Sequence, residues 1–252
     1  MGVLGFMMRI YSHRGFCDDR LFPENSIPAF EAAIRHGADG FEFDVQLSKD
    51  ETAVCYHDPT LNRVGIPKAV RELNCKELTQ IDLGGGSTIP TLVEILEKFG
   101  NRTFLNIEVK SPEVAPEVAK LIQKSSLTLS PNNVIVSSFL EQTLAQIRQI
   151  NPEIPTGMLY TYPRGKIKLA RRLSCVSLHP FFGKIPYLGI DVIYRFLIRR
   201  NIRNGQKLGF RINRWTVNTS KLIRELLRLS VSGIITDNLD EAIKLRNEYY
   251  SE

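Results

Sequence analysis

Eight short apolar runs alternate with longer segments whose apolar residues recur every three to four positions. Alternation of this kind predicts strands and amphipathic helices in turn. The predicted strands are residues 9–12, 40–45, 103–109, 134–137, 156–160, 175–178, 212–217 and 233–235. The predicted helices are residues 26–36, 92–99, 116–125, 140–150, 166–173, 191–201, 220–229 and 239–249. Eight such strand–helix units predict an α/β fold, a closed (β/α)8 TIM barrel.

A ninth strand-like run, at residues 52–57, interrupts this order. Only a few residues separate it from the second strand, whereas a parallel crossover needs a dozen or more. The run is therefore expected to form a β-hairpin with the second strand, which brings His57 back beside Asp44. Residues 49–91, approximately, then form a small insertion between the second strand and its helix.

Composition narrows the class of protein. The 252 residues, 43% of them hydrophobic, suit a single barrel domain over residues 1–252. Four scattered cysteines show no metal-ligand spacing, and the apolar start of the chain lacks the basic residues of a secretory signal. With no apolar run of transmembrane length, these features predict a soluble, cytoplasmic protein. The net charge of +6 suits an anionic partner, but no nucleic-acid recognition module is present.

Two carboxylates stand one residue apart in Glu42-Phe43-Asp44, where the second strand ends. Side chains alternate faces along a strand, so Glu42 and Asp44 project to the same side and repel each other unless a cation lies between them. On the third strand, Glu108 and Lys110 share a face in the same way. The sequence therefore predicts a divalent-metal site with Glu42, Asp44 and Glu108 as ligands, and all-oxygen ligands favour Mg²⁺ or Ca²⁺.

Simpler explanations exist for the same residues. Glu42 and Asp44 could be surface acids, but apolar neighbours such as Phe43 indicate a strand buried on both faces, where charges need a partner. Glu108 and Lys110 could pair only with each other. Three carboxylates and one divalent cation would still repel an anion, and Arg14 and Lys110 reverse that balance.

Seven motifs make the chain resemble the glycerophosphodiester phosphodiesterases. In chain order they are His13-Arg14-Gly15, Pro23-Glu24-Asn25-Ser26, Glu42-Phe43-Asp44-Val45, His57-Asp58-Pro59-Thr60-Leu61, Asn106-Ile107-Glu108-Val109-Lys110, Trp215-Thr216-Val217-Asn218 and Gly233-Ile234-Ile235-Thr236-Asp237. The resemblance implies a phosphodiesterase that releases sn-glycerol 3-phosphate and an alcohol from substrates such as glycerophosphocholine and glycerophosphoethanolamine. Lysophospholipase D activity on lysolipid diesters and a non-catalytic, anion- or membrane-binding barrel are the alternatives.

The resemblance also implies that His13 and His57 form the general acid and base. Imidazole titrates near neutral pH, which suits both tasks. The sequence leaves the assignment open; we favour His13 as the base and His57 as the acid. Arg14 and Lys110 are expected to contact the phosphate.

Three further residues have two explanations each. Glu24 would orient Arg14 or the first loop, or else favour the start of the following helix. His179 follows a predicted strand and would contact substrate or serve the structure. Trp215, the only tryptophan, would line the pocket beside the glycerol or belong to the core.

Residues 181–203 combine an apolar loop with a basic amphipathic helix. Such a segment could make weak peripheral contact with an anionic membrane. The pattern alone favours an outer helix of the barrel with a solvated basic face.

Overall fold

Strands and helices alternate along nearly the whole chain. The computed structural model describes residues 7–17, 22–125, 133–181 and 191–251, without the side chains of 191–195. Its strands are β1 (Arg9–His13), β2 (Gly40–Leu47), β3 (Ala53–Cys55), β4 (Asp82–Gly84), β5 (Ser87–Thr88), β6 (Phe104–Val109), β7 (Val134–Ser138), β8 (Thr156–Tyr160), β9 (Ser177–Pro180), β10 (Arg211–Arg214) and β11 (Gly233–Thr236). Its α-helices are α1 (Ile27–Arg35), α2 (Cys75–Leu78), α3 (Leu92–Phe99), α4 (Ala115–Lys124), α5 (Glu141–Ile150), α6 (Lys166–Arg172), α7 (Asp191–Lys207), α8 (Ser220–Arg228) and α9 (Leu239–Ser251).

Eight parallel strands close into a barrel in the order β1-β2-β6-β7-β8-β9-β10-β11. Closure rests on β1, which pairs with β2 through His13 and Glu42 and with β11 through Ser12 and Thr236. Helices connect the successive strands on the outside. The predicted (β/α)8 TIM barrel is confirmed.

The hydrophobic core lies mostly between the barrel and its helices. On β2, Phe41 and Phe43 point outward and pack against Phe30 of α1 and Phe99 of α3, with no solvent-exposed surface on any of the four rings. Burying one such ring contributes about 2–3 kcal/mol. Because the odd-numbered residues of β2 carry this packing, the even-numbered Glu42 and Asp44 must face the barrel interior.

The insertion after β2 begins with the predicted hairpin, since β3 pairs antiparallel to β2 through Val45 and Cys55. It then builds a small core of its own from Val54, Tyr56, Leu61, Val70, Leu73, Leu78 and Ile89. This core anchors residues 54–61 near the carboxyl end of β2. His57 is therefore held beside the barrel mouth by packing as well as by the hairpin.

Several boundaries differ from the sequence prediction, and three of these differences matter most. β9 begins two residues later than expected, so His179 lies within the strand, and β10 ends at Arg214, before Trp215. The helix expected at residues 191–201 continues to Lys207. In the part of the chain that the structure describes, none of the helices is both long enough and apolar enough to cross a membrane.

Candidate active site

Three buried carboxylates meet at the carboxyl ends of neighbouring strands. Glu42 and Asp44 come from β2, and Glu108 comes from β6, where it is the register partner of Asp44. One oxygen from each lies within 4.8 Å of the others, and the three residues are at most 9% exposed. The structure thus brings together all three predicted metal ligands.

The three carboxyl groups differ in how readily they ionise. Burial and the negative charge of Asp44 raise the pKa of Glu42 to about 8, and the same two causes raise the pKa of Glu108. Burial also acts to raise the pKa of Asp44, but Lys110 and Arg14 outweigh it and hold that pKa below its usual value. Asp44 is therefore the carboxylate that the protein itself keeps ionised, while His13 and Arg14 compensate the charge of Glu42 only in part.

The donor set fits a hard divalent cation. Oε2 of Glu42 is buried and has no hydrogen-bond partner among the described residues, and the same holds for Oδ1 of Asn106, the register partner of Glu42 on β6. Unsatisfied buried oxygens are costly unless a donor or cation meets them. Clustered oxygen atoms of this kind suit Mg²⁺ or Ca²⁺.

Arg14 follows β1 and reaches across to the carboxylates. Its Nε lies 3.2 Å from Oδ2 of Asp44, and its Nη1 lies 3.1 Å from Oε2 of Glu24. Arg63, from the insertion, binds the same Glu24. Glu24 thus contacts both Arg14 and the insertion, and these contacts favour an orienting role over one in starting the helix.

Asn25 holds Asp44 in place. Its Nδ2 donates to Oδ2 of Asp44 at 3.0 Å, and the backbone N–H of Asp44 donates to its Oδ1 at 3.3 Å. Asn25 has a φ of +57° and is fully buried. Asparagine tolerates this left-handed conformation better than most residues, so one side chain serves both the turn and the site.

The Lys110 ammonium lies 2.8 Å from Oδ1 of Asp44 and 2.7 Å from Oε1 of Glu108. It therefore makes the pairing with Glu108 that the sequence offered as the simpler explanation, and bonds Asp44 as well. These two carboxylates raise its pKa against the opposing effect of burial. With 28% of its side chain exposed, Lys110 keeps a charged surface toward the mouth.

His13 stands at the end of β1 between two carboxylates. Its Nδ1 donates to Oδ1 of Asp237 at 2.6 Å, and its Nε2 lies 3.9 Å from Oε2 of Glu42. Burial lowers the pKa of His13, but the Asp237 hydrogen bond and the Glu42 charge outweigh it, so the pKa is raised. Because Asp237 fixes the proton on Nδ1, Nε2 is the atom that can exchange a proton with a substrate.

His57 repeats this arrangement from the insertion. Its Nδ1 donates to Oδ1 of Asp58 at 2.6 Å, and Nη2 of Arg63 lies 3.0 Å from the other oxygen of Asp58. About 30% of the His57 side chain is exposed. Two partly exposed imidazoles, each with a carboxylate on Nδ1, thus present Nε2 for proton transfer at one mouth.

His179 lies below the mouth and is fully buried. Its Nε2 shares hydrogen bonds with Ser177 Oγ at 2.7 Å and Asn213 Nδ2 at 3.2 Å. Its carbonyl oxygen accepts a hydrogen bond from Nε1 of Trp215 at 2.8 Å. Of the two roles offered by the sequence, this environment favours the structural one.

We expect His179 to make the fold sensitive to acid. Burial lowers its pKa to about 3, whereas the ordinary pKa of the imidazole is 6.5 in the unfolded chain. Between these two pH values, the unfolded chain binds a proton that the folded protein does not bind. Stability is therefore lost as the pH falls from 6.5 towards 3, by up to about 1.4 kcal/mol for each pH unit. His179→Gln should flatten urea-unfolding free energies in this range, whereas the exposed His36→Gln should not. Equal slopes in wild type and His179→Gln would refute the assignment.

Trp215 forms one wall of the mouth with two phenylalanines. Its ring lies 5.3 Å from that of Phe139, edge to face, and 5.1 Å from that of Phe181. Trp215 is half-buried, and 42% of Phe139 is exposed. These aromatic rings give an apolar wall at the ends of β7, β9 and β10, and β7 is the neighbour of β6, which carries Glu108.

The sequence alone predicts no role for several residues of the site. Asp237 and Asn218 lay in recognised motifs, and Nδ2 of Asn218 donates to the second oxygen of Asp237 at 2.5 Å. The position of Asp237 directly after the last strand was a usable signal, since strand ends form the mouth. Arg63 had no comparable signal because it reaches the site through the tertiary packing of the insertion.

The arrangement combines a cation site, positive charge and two proton carriers. A phosphodiester entering the mouth would meet Arg14 and Lys110, with His13 and His57 available to remove and deliver protons. The apolar wall at Trp215 could receive a non-polar part of the same molecule. These are the parts that phosphodiester cleavage requires.

Comparison with known proteins agrees with this chemistry. The sequence profile of the glycerophosphoryl diester phosphodiesterase family matches residues 13–241. A glycerophosphodiester phosphodiesterase of Caldanaerobacter subterraneus is 33% identical over 94% of this chain and 96% of its own length. The crystal structure of a glycerophosphodiester phosphodiesterase from Thermotoga maritima superposes with a TM-score of 0.77 at 29% identity, over 94% of this chain and 98% of the other.

A mammalian protein is also similar. A lysophospholipase D of Mus musculus is 27% identical over 88% of this chain and 70% of its own length.

Proposed function

Because this chain belongs to the glycerophosphoryl diester phosphodiesterase family and is a phosphodiesterase of that class, we propose that it cleaves glycerophosphocholine and glycerophosphoethanolamine. The products are sn-glycerol 3-phosphate and the free alcohol. The observation that carries the proposal is the meeting of three buried carboxylates, two cationic side chains and two carboxylate-bound histidines at one barrel mouth.

In this proposal, Arg14 and Lys110 bind the anionic phosphate. Both contact Asp44, which fixes their positions, and each side chain is partly exposed. Arg14 is further held by Glu24. Positioned cations lower the barrier because negative charge builds on the phosphoryl oxygens during the reaction.

His13 acts as the base and His57 as the acid. The hydrogen bond to Asp237 leaves Nε2 of His13 to take the proton from the attacking hydroxyl, which is either water or a hydroxyl of the substrate's glycerol. Nε2 of His57, oriented by Asp58, gives a proton to the departing alkoxide. Asn218 and Arg63 hold the two carboxylates in turn.

Glu42, Asp44 and Glu108 would hold one Mg²⁺ or Ca²⁺. The bound cation would polarise a phosphoryl oxygen and offset the charge that develops there. The unsatisfied Oε2 of Glu42 and its raised pKa are the features that support this ligand set.

We expect release of sn-glycerol 3-phosphate from both substrates with Mg²⁺ or Ca²⁺ and loss of that release with EDTA. The cation contributes several kcal/mol of transition-state stabilisation, so removing it should lower the rate by at least about 10²-fold. An enzyme-coupled assay of sn-glycerol 3-phosphate measures this, and restoring the cation after EDTA is the control. Undiminished release in EDTA would contradict the proposed cofactor.

Lysolipid diesters are the second candidate substrates. The observation that favours them is the aromatic wall of Trp215, Phe139 and Phe181, which is unnecessary for a small polar diester. The mouse relative is named a lysophospholipase D. Comparing lysophosphatidylcholine with glycerophosphocholine separates the two substrate classes, since they differ only in the acyl chain.

We further propose that the chain is one barrel domain with its insertion at about 49–91, acting in the cytoplasm. Cys55, Cys75 and Cys175 form no disulfide bond, which suits a reducing compartment. Fractionation of cells that express the protein would test the location.

A further inference from the structure

Charge is distributed very unevenly along the chain. Residues 161–230 contain 16 of the 33 lysines and arginines but only two of the 27 acidic residues. This segment of 70 residues therefore carries a net charge of +14, and the remainder of the chain carries −8. The overall value of +6 hides this separation.

The fold collects ten of these cations on one side of the barrel. Helices α6, α7 and α8 follow β8, β9 and β10, which are neighbours in the sheet, so the three helices lie side by side. We call their exposed cations the basic face: Lys168, Arg171, Arg172, Arg199, Arg200, Arg203, Lys207, Lys221, Arg224 and Arg228. A solvated face of a protein of this size usually mixes both signs, so this concentration of one sign needs a partner.

Acidic neighbours neutralise little of the basic face. Arg172, Arg199 and Arg224 form ion pairs with single glutamates on α5, α8 and α9. The other seven form no ion pair with any described residue. Between α7 and α8, a groove of about 410 Å³ is lined by Arg199, Arg203, Lys221, Glu225, Arg228 and Leu229.

Exposed apolar side chains border the basic face at the mouth end of the barrel. Tyr162 follows β8, and Phe196 and Leu197 lie in the second turn of α7. Tyr162 and Phe196 are 59% and 62% exposed. We call these three residues the apolar edge.

We propose that the basic face and the apolar edge bind the surface of a bilayer that contains anionic lipids. Lipid phosphates would neutralise the cations, and the interfacial region would take up the aromatic and leucine side chains. A nucleic acid would satisfy the cations but not the apolar edge. This surface lies outside the carboxylate site, so the inference does not depend on which diester the enzyme cleaves.

The test compares binding to sucrose-loaded vesicles of phosphatidylcholine alone with binding to vesicles that also contain phosphatidylglycerol. The triple variant Arg203→Gln, Lys221→Gln, Arg228→Gln should lose about fivefold in affinity per cation, on the order of 100-fold in all, for the anionic vesicles. Salt should release the wild type. The pair Phe196→Ser, Leu197→Ser should weaken binding at every salt concentration, because its contribution is apolar.

The matched control removes the same charge elsewhere: Arg35→Gln, Lys76→Gln, Lys124→Gln. These three exposed cations form no ion pair with described residues and lie on α1, α2 and α4. The control should bind vesicles almost as the wild type does, and both triple variants should still hydrolyse glycerophosphocholine. Equal losses in both triples, absent vesicle binding by the wild type, or binding to an RNA oligonucleotide in place of vesicles would overturn the proposal.

Discussion

His13→Gln should lower kcat for sn-glycerol 3-phosphate release by about 10²–10⁴-fold, the usual contribution of a general acid or base. Glutamine keeps much of the volume and can still hydrogen-bond Asp237, but it cannot exchange a proton at the position of Nε2. Because the imidazole acts on the reacting atoms, KM should change far less than kcat. Steady-state kinetics with saturating divalent cation measure both constants.

The exposed histidine gives a matched control for this variant. His36 lies on the outside of the barrel after α1 and bonds Asp240, so His36→Gln removes an imidazole without touching the mouth. Its kcat should equal that of the wild type. If His13→Gln keeps more than a tenth of the wild-type kcat, the proposed role of His13 in proton transfer is wrong.

Asp237→Asn tests whether His13 acts as the general base or as the general acid. The Asp237 carboxylate helps to raise the pKa of His13 above its usual value, so its loss should lower that pKa. A base must be neutral to act, and lowering its pKa therefore moves the acid limb of kcat/KM to lower pH. If His13 is instead the acid, the basic limb moves to lower pH. A profile that does not shift would mean that neither limb belongs to His13.

Much of the site could be predicted because strand periodicity is strict. Glu42 and Asp44 had to share a face, and the apolar residues between and beside them made that face the interior. The hairpin that returns His57 followed from the short separation between two strand-like runs. These conclusions depend on local chain geometry, which the sequence specifies well.

Contacts set by tertiary packing were harder to predict. The shift of β9 by two residues changed His179 from a residue beyond a strand into a buried one, and no local pattern marked that boundary. The bridge from Arg63 to Glu24 and Asp58 depends on how the insertion packs over the mouth. Residues far apart in sequence meet there, so periodicity carried no information about them.

We expect the variant Glu42→Gln to gain stability and to lose activity. Glu42→Gln should lower hydrolysis by about 10²–10⁴-fold, because it removes the charge of one proposed metal ligand. Without divalent cation, the same variant should be more stable than the wild type at pH 7. The raised pKa of Glu42, about 8, means that ionising this buried carboxyl opposes folding.

The sign and the pH range follow from proton linkage. The folded protein holds a proton on Glu42 that the unfolded chain releases near pH 4.5, so stability is lost as the pH rises from 4.5 through about 8. At pH 7 this loss of unfolding free energy is about 3 kcal/mol. Glu42→Gln should recover about 1–3 kcal/mol of it, because the buried glutamine amide needs hydrogen-bond partners of its own. Urea unfolding in EDTA at several pH values measures the advantage of the variant, which should shrink by about 3 kcal/mol between pH 7 and pH 4.5.

Asp44→Asn provides the contrast, because its effect on stability should have the opposite sign. Lys110 and Arg14 hold the pKa of Asp44 below its usual value, so this carboxylate stabilises the fold once ionised, and its loss leaves two cations without their shared partner. We expect a loss on the order of 1–3 kcal/mol at pH 7 in EDTA, together with loss of hydrolysis.

Divalent cation then distinguishes a metal site from a mere cluster of acids. Mg²⁺ or Ca²⁺ should raise the unfolding free energy of the wild type, since a ligand that binds only the folded state stabilises it. It should do so far less for Glu42→Gln and Asp44→Asn. If either variant responds to the cation as the wild type does, that residue is not a ligand. If Glu42→Gln is less stable than the wild type in EDTA, the Glu42 carboxylate is ionised and compensated within the folded protein, and the cluster does not require a cation to neutralise it.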